Sequence, residues 1–189
     1  MVDIAPEIGR LLPMDPLTYT ELWQGLAPDV RARACVAFWR ADDELSQLAR
    51  PTVLSALAKA MNFREKFMKM QTDAKKGDLL MRRASLPDFR RFHGDLLRVL
   101  LLTEHSKVIE QFLDVQGIPR QGCFLEGDEP PSVKSLRKGI KAIRAAWGDW
   151  STCFYLGFLL AQGEADYWAA LPDAIAAEGL DIRGTVLGA

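Results

Sequence analysis

Residues 149–162 read DWSTCFYLGFLLAQ, and this stretch decides the fold class. At 100° per residue, Trp150, Cys153, Phe154, Tyr155, Leu156, Phe158, Leu159 and Leu160 point to all sides of a helix. A helix apolar all round sits in a core or in a bilayer. The uncharged run 150–161 is twelve residues long, short of the roughly 20 that cross a membrane. It is expected at the centre of a bundle, with other helices packed on it.

Upstream, Ser132 is placed to cap a helix 132–147. Val133, Leu136, Ile140, Ile143 and Trp147 fall within an arc of about 80°. Lys134, Arg137, Lys138, Lys141 and Arg144 fall within about 120° on the other side. An inward apolar face and an outward basic stripe are therefore expected. Whether 132–162 is one helix or breaks at Gly148-Asp149 stays open at this level. Trp147, Trp150, Phe154 and Phe158 form an aromatic row at spacings of three and four, with Trp147 and Trp150 expected in the core.

The remaining pattern is also helical. A helix is expected from the cap-and-proline pair Asp15-Pro16 to about Leu26, and another from Pro28. A long one should run from Pro51 to Lys76 and end at Gly77, with a loop through 80–86. The apolar residues from Phe89 to Leu113 predict a helix 87–116, kinked near Thr103. A last helix, disturbed by Pro172, covers 164–177. The stretch 117–131 (GIPRQGCFLEGDEPP) has no helical period and is the one long internal loop, a kind of connection that more often carries function. No stretch alternates with period two for long enough to need a sheet. The expected fold is all-α: a single-domain bundle of five to seven helices around the apolar helix 149–162. An extended N-terminal arm (1–14) precedes the bundle (15–178), and a loose C-terminal tail (179–189) follows it.

A chain of 189 residues with 49% apolar and 26% charged residues can bury a core without disulfides or metals. The three cysteines, Cys35, Cys123 and Cys153, are odd in number and far apart, which suits a reducing compartment. With no leader-like N-terminus, the bacterial cytoplasm is the expected location. The net charge of −1 gives no overall pull toward nucleic acid or membrane. Its distribution is uneven. Residues 59–91 hold 10 bases and 4 acids, and 134–144 hold 5 bases and no acid, between acidic segments.

Motifs for chemistry are sparse. The two histidines, His93 and His105, lie twelve residues apart and point in different directions. No Glu-x-x-His and no paired cysteine is present, so neither a metal nor a cofactor is expected. Cys123 and Arg120 sit in the 117–131 loop, but nothing local would activate the thiol. Gly-rich phosphate loops are absent. Asp42-Asp43-Glu44 is one acidic cluster without a second, which reads as a solvated face or a helix boundary.

Two functional readings follow. The first is a non-catalytic interaction protein that uses the 134–144 stripe and the 117–131 loop to hold an acidic protein partner. Little favours nucleic acid, because aromatic residues do not interleave with the basic ones. The second is a small-molecule-binding or cofactor-handling protein. Its pocket would lie between helix 87–116 and the aromatic row, near His93, His105, Trp147, Trp150, Phe154 and Phe158.

Overall fold

The computed structural model of the chain describes residues 17–163 and 166–188. Among them stand ten α-helices, one 3-10 turn and one short hairpin. The fold is all-α. The expected arm 1–14, the helix start at Asp15-Pro16 and the start of a helix at 164 lie outside the described residues.

The helices outnumber the expected five to seven because two long ones are interrupted. α1 (Tyr19–Gly25) opens on a capping box: the Thr18 hydroxyl accepts from Glu21 N–H, and the Glu21 carboxylate accepts from Thr18 N–H. α2 (Pro28–Arg40) starts on proline, as expected. α3 (Glu44–Ala60) begins earlier than Pro51 and carries that proline inside. Its cap is Asp43, which accepts from Ser46 N–H at 2.9 Å, so the acidic cluster marks a helix boundary. Asn62, at φ 53°, turns the chain out of α3. The short α4 (Glu65–Lys69) follows, then α5 (Asp73–Arg83), capped by Thr72.

Gly77 does not terminate a helix. It lies within α5, where a Cβ would come 2.6 Å from a Val36 methyl and 2.9 Å from the Val36 Cα. Its role is to let the backbones of α5 and α2 touch. The expected loop 80–86 is accordingly helical as far as Arg83.

The expected helix 87–116 is three pieces: the 3-10 turn Pro87–Phe92, α6 (His93–Glu104) and α7 (Ser106–Gln116). The break falls at His105 (φ −124°, ψ 17°), close to the kink expected at Thr103. Gly117, at φ 72°, closes α7 in the left-handed conformation glycine favours. The 117–131 segment contains a hairpin, β1 (Arg120–Gln121) and β2 (Phe124–Leu125), turning on Gly122 (φ 60°) and Cys123. A glycine with positive φ at the first turn position is the II′ arrangement that matches strand twist.

α8 (Val133–Ala161) breaks at Gly148 (φ 77°, ψ 175°). Every residue from 152 to 159 is buried. At Gly157 a Cβ would meet Leu22 and Ile182 at 3.0 and 3.2 Å, so two other segments cross the helix closely there. α9 (Leu171–Ala177) takes Pro172 in its first turn, where proline starts a helix rather than disturbing it. The tail is not loose. Residues 182–187 form α10 (Ile182–Leu187), whose Ile182 and Val186 are buried, with Asp181 as its cap. The apolar pattern of so short a segment is too brief to announce a helix. Buried side chains from Leu17 to Val186 join one apolar cluster.

Candidate functional site

The aromatic row divides at the Gly148 break. Trp147, before it, is 43% exposed and donates from its indole to Gln111 Oε1 at 2.8 Å. It is not a core residue. After the break Trp150 stacks on Phe154 at 5.1 Å, and His105 packs against both rings. These three rings fill the space between α8 and the α6–α7 break. His105 is half-buried, and burial pulls its pKa down, favouring the neutral ring.

His93 lies elsewhere, at the start of α6. It is 1% exposed and stacks on Trp23 at 5.3 Å. Its Nε2 lies 2.8 Å from the Ala84 carbonyl and must donate to it. Nδ1 is 3.2 Å from the Thr20 hydroxyl and accepts there when the ring is neutral. Burial lowers this pKa as well. His93 is therefore a satisfied core residue that ties α6 to the preceding turn. The expected pocket around both histidines and both tryptophans is not formed.

A cleft does exist, displaced toward the far end of the same helices. It encloses about 320 Å³. Leu101 and Leu102 of α6, Ile109 and Leu113 of α7, and Tyr155, Phe158 and Leu159 of α8 form its walls. The hairpin closes one side with Cys123, Phe124 and Leu125, and Trp168 completes it. Of the expected pocket residues only Phe158 lines this cleft. Of the expected loop residues only Cys123 does.

The hairpin is held in place by Arg120. Its guanidinium makes paired bonds to Asp114 at 2.7 and 2.8 Å and donates to the Gly122 carbonyl at 2.6 Å. Arg120 is thus a clamp between α7 and the turn. Cys123 points its thiol at the Ser106 carbonyl, 3.7 Å away. Burial, followed by the nearby Glu110 charge, pushes the thiol pKa up, the opposite of an activated nucleophile.

The polar end of the cleft is Arg98, the one charged residue within the apolar run 96–102 of α6. Its guanidinium pairs with Asp43, donates to Ser46 Oγ at 3.1 Å and lies 3.9 Å from Asp95. Asp43 thus caps α3 and anchors α6 at once. Burial raises the Asp43 pKa, but the bonds from Ser46 and Arg98 outweigh it and hold the carboxyl below its usual value. Asp95 is raised by its burial. Gln162 also reaches the cleft. Among the described residues the Tyr155 hydroxyl makes no hydrogen bond, and burial pushes its pKa far up.

The basic stripe is partly balanced from within. Arg137 bonds Glu178 at 2.6 Å, Lys141 lies 3.6 Å from the same carboxylate, and Arg144 pairs with Asp149 at 2.7 Å. Glu126, Asp128 and Glu129, the acids that precede the stripe in sequence, make no ion pair among the described residues. Lys134 and Lys138 line a shallow groove with Arg137 and Lys141 and have no ion-pair partner there. A wider, more open groove runs along α2 past Ala37 and Arg40 to Glu104, and its Arg33 is bonded to Glu104 and Asp29. Among the described residues no three His, Cys, Asp or Glu side chains are grouped as metal ligands, and no helix is long and apolar enough to cross a membrane.

Sequence reasoning missed Arg98, Leu102, Leu125, Tyr155, Gln162 and Trp168 as cleft residues. The one local signal was the isolated arginine in the run of leucines. Compared with known families, with curated proteins and with solved structures, the chain matches none.

Proposed function

We propose that this protein binds a small, neutral, largely apolar molecule in the cleft between α6, α7, the hairpin and the second half of α8. The cleft itself carries the reading: of the concavities described, it is the one enclosed on several sides. Its volume sits at the lower end of the roughly 300–1,000 Å³ usual for ligand sites. Apolar walls with a few polar groups at one end are the ordinary construction of such sites. Neutrality of the ligand follows from charge balance. Arg98 is already engaged by Asp43 and faces Asp95, so an anionic head would meet two carboxylates as well as one cation.

The role is binding rather than catalysis. Cys123 is the nucleophile in the wall, and its environment suppresses the thiolate. The basic stripe as a docking site for an acidic protein is the second reading, resting on Lys134 and Lys138.

The test uses N-phenyl-1-naphthylamine, a neutral apolar dye whose emission rises in dry sites. One saturable site is expected, abolished by Leu102→Trp, which fills the cleft from a half-buried wall position. Binding that ignores this substitution, or no binding, would refute the reading.

A further inference from the structure

The turn joining α3 to α5 is exposed along most of its length. From Asn62 to Met70 every residue is exposed except Met68, which is 0% exposed and fixes the segment to the core. At its outer side Phe63 and Phe67 pack edge to face at 5.1 Å, yet remain 42% and 49% exposed. Met70 beside them is 76% exposed. Phe67 of α4 and Met70 at its C-cap fall within about 60° of one another, on a side of the helix away from the Met68 anchor. Two aromatic rings and a methionine in water are a cost that an ordinary solvated turn avoids.

Cations outnumber acids four to one around this tip. Lys59, Arg64, Lys66 and Lys69 are all exposed, and none has an ion-pair partner among the described residues. The one acid of the segment, Glu65, lies one turn before Lys69 on α4 but makes no ion pair among the described residues. Elsewhere Arg33, Arg82, Lys107 and Arg183 are exposed with a carboxylate within 3.0 Å, whereas Arg40, Arg90, Arg91, Lys134 and Lys138 resemble the tip in having no ion pair among the described residues. The tip therefore combines insertable apolar side chains with an uncompensated cationic collar.

We infer that Phe63, Phe67 and Met70, with Lys59, Arg64, Lys66 and Lys69, dock the protein on an anionic membrane surface. The exposed apolar side chains and the charge both favour a bilayer. Lipid acyl chains take up inserted side chains without a preformed groove. Apolar insertion of a few side chains plus attraction of several cations is how peripheral proteins bind anionic lipid. The proposal is independent of the cleft, whose lining shares no residue with it.

Sedimentation with vesicles tests it. The full chain should pellet with vesicles of equal parts phosphatidylcholine and phosphatidylglycerol and stay in solution with phosphatidylcholine alone. Phe67→Ser with Met70→Ser should abolish pelleting while leaving the circular dichroism and melting of the chain unchanged, because both side chains are exposed. A cation close to an anionic surface strengthens binding about fivefold, so Lys66→Gln with Lys69→Gln should weaken it about 25-fold. Lys134→Gln with Lys138→Gln should leave binding within about twofold. Failure to pellet with the mixed vesicles would overturn the inference. So would pelleting that survives loss of Phe67 and Met70, or that depends on Lys134 and Lys138. Retention on immobilised polyglutamate that needs Phe67, without vesicle binding, would also overturn it and assign the tip to an acidic polypeptide.

Discussion

Replacing Arg98 with Met should expose how the polar end of the cleft is built. The Arg98 and Asp43 side chains are 13% and 17% exposed, so the pair is neither at the surface nor fully buried. Exposed pairs contribute about 0–1 kcal/mol, whereas orphaning a buried charge costs about 3–5 kcal/mol. An intermediate loss of about 2–3 kcal/mol at pH 7 is expected. The loss should depend on pH in a defined direction. Asp43, with its folded pKa depressed, stabilises the fold above its ordinary pKa, and that contribution disappears as pH falls through the depressed value. Asp95 has a raised folded pKa, so it costs stability at neutral pH and the cost fades on acidification. Without Arg98 both carboxyls lose their cation and both pKa values rise. Near pH 4 the variant can protonate them, so its deficit relative to the parent chain should shrink. Urea unfolding followed by circular dichroism at the two pH values measures this. Adding Asp43→Asn to Arg98→Met should restore part of the loss at pH 7. Equal deficits at both pH values, or a deficit under about 0.5 kcal/mol at pH 7, would refute the reasoning.

Other expectations follow from single contacts. Trp147→Ala should cost about 1 kcal/mol, the worth of one exposed hydrogen bond, and clearly less than Trp150→Ala, whose ring stacks on Phe154; equal melting temperatures for the two would contradict the break at Gly148. Glu178→Gln should cost about 1 kcal/mol after discount for the exposure of Arg137, and less in high salt. The Arg137 bond depresses the Glu178 pKa, so this contribution is present above the usual glutamate range and fades as pH falls through the lowered value; an unchanged difference at acid pH would count against it. Gly77→Ala gains up to about 1 kcal/mol of helix propensity but forces α5 off Val36 at 2.6 Å, and overpacking should win by about 1–2 kcal/mol in thermal melts. A maleimide should modify half-buried Cys123 slowly in the native chain and spare Cys35 and Cys153 until unfolding, since burial pushes Cys35 up to about 12; rapid modification of Cys123 at neutral pH would contradict its tie to Ser106.

The fold class was legible because one periodic signal dominates. The stretch 149–162 could satisfy its apolar surface only by burial on all sides, and the structure buries 152–159 throughout. A helix end was legible where glycine must act, as at Gly117, while Gly148 marked the place of a break that stayed open until the structure showed it. The turn at Asn62 was missed, since no glycine announces it, whereas the break at His105 falls two residues from the kink expected near Thr103. Gly77 misled for the opposite reason, since close packing and helix termination use the same residue. The cleft was half legible. Helix 87–116 and the 117–131 loop were the right neighbourhood, but pairing the aromatic row with both histidines needed His93 and His105 to face one space. The break at Gly148 sets Trp147 apart, and His93 stacks on Trp23 rather than lining the cleft. Long-range pairs such as Arg98 with Asp43, or Arg137 with Glu178, have no local signature at all.

The central claim, that the cleft is a binding site, is tested most directly by an amide-resolved NMR titration of the full chain with N-phenyl-1-naphthylamine. Saturable shifts should gather on residues 98–113, 123–125 and 155–168, the segments that line the cleft, with little change along 134–144. Shifts confined to other surfaces, or a spectrum unmoved by the dye, would contradict it.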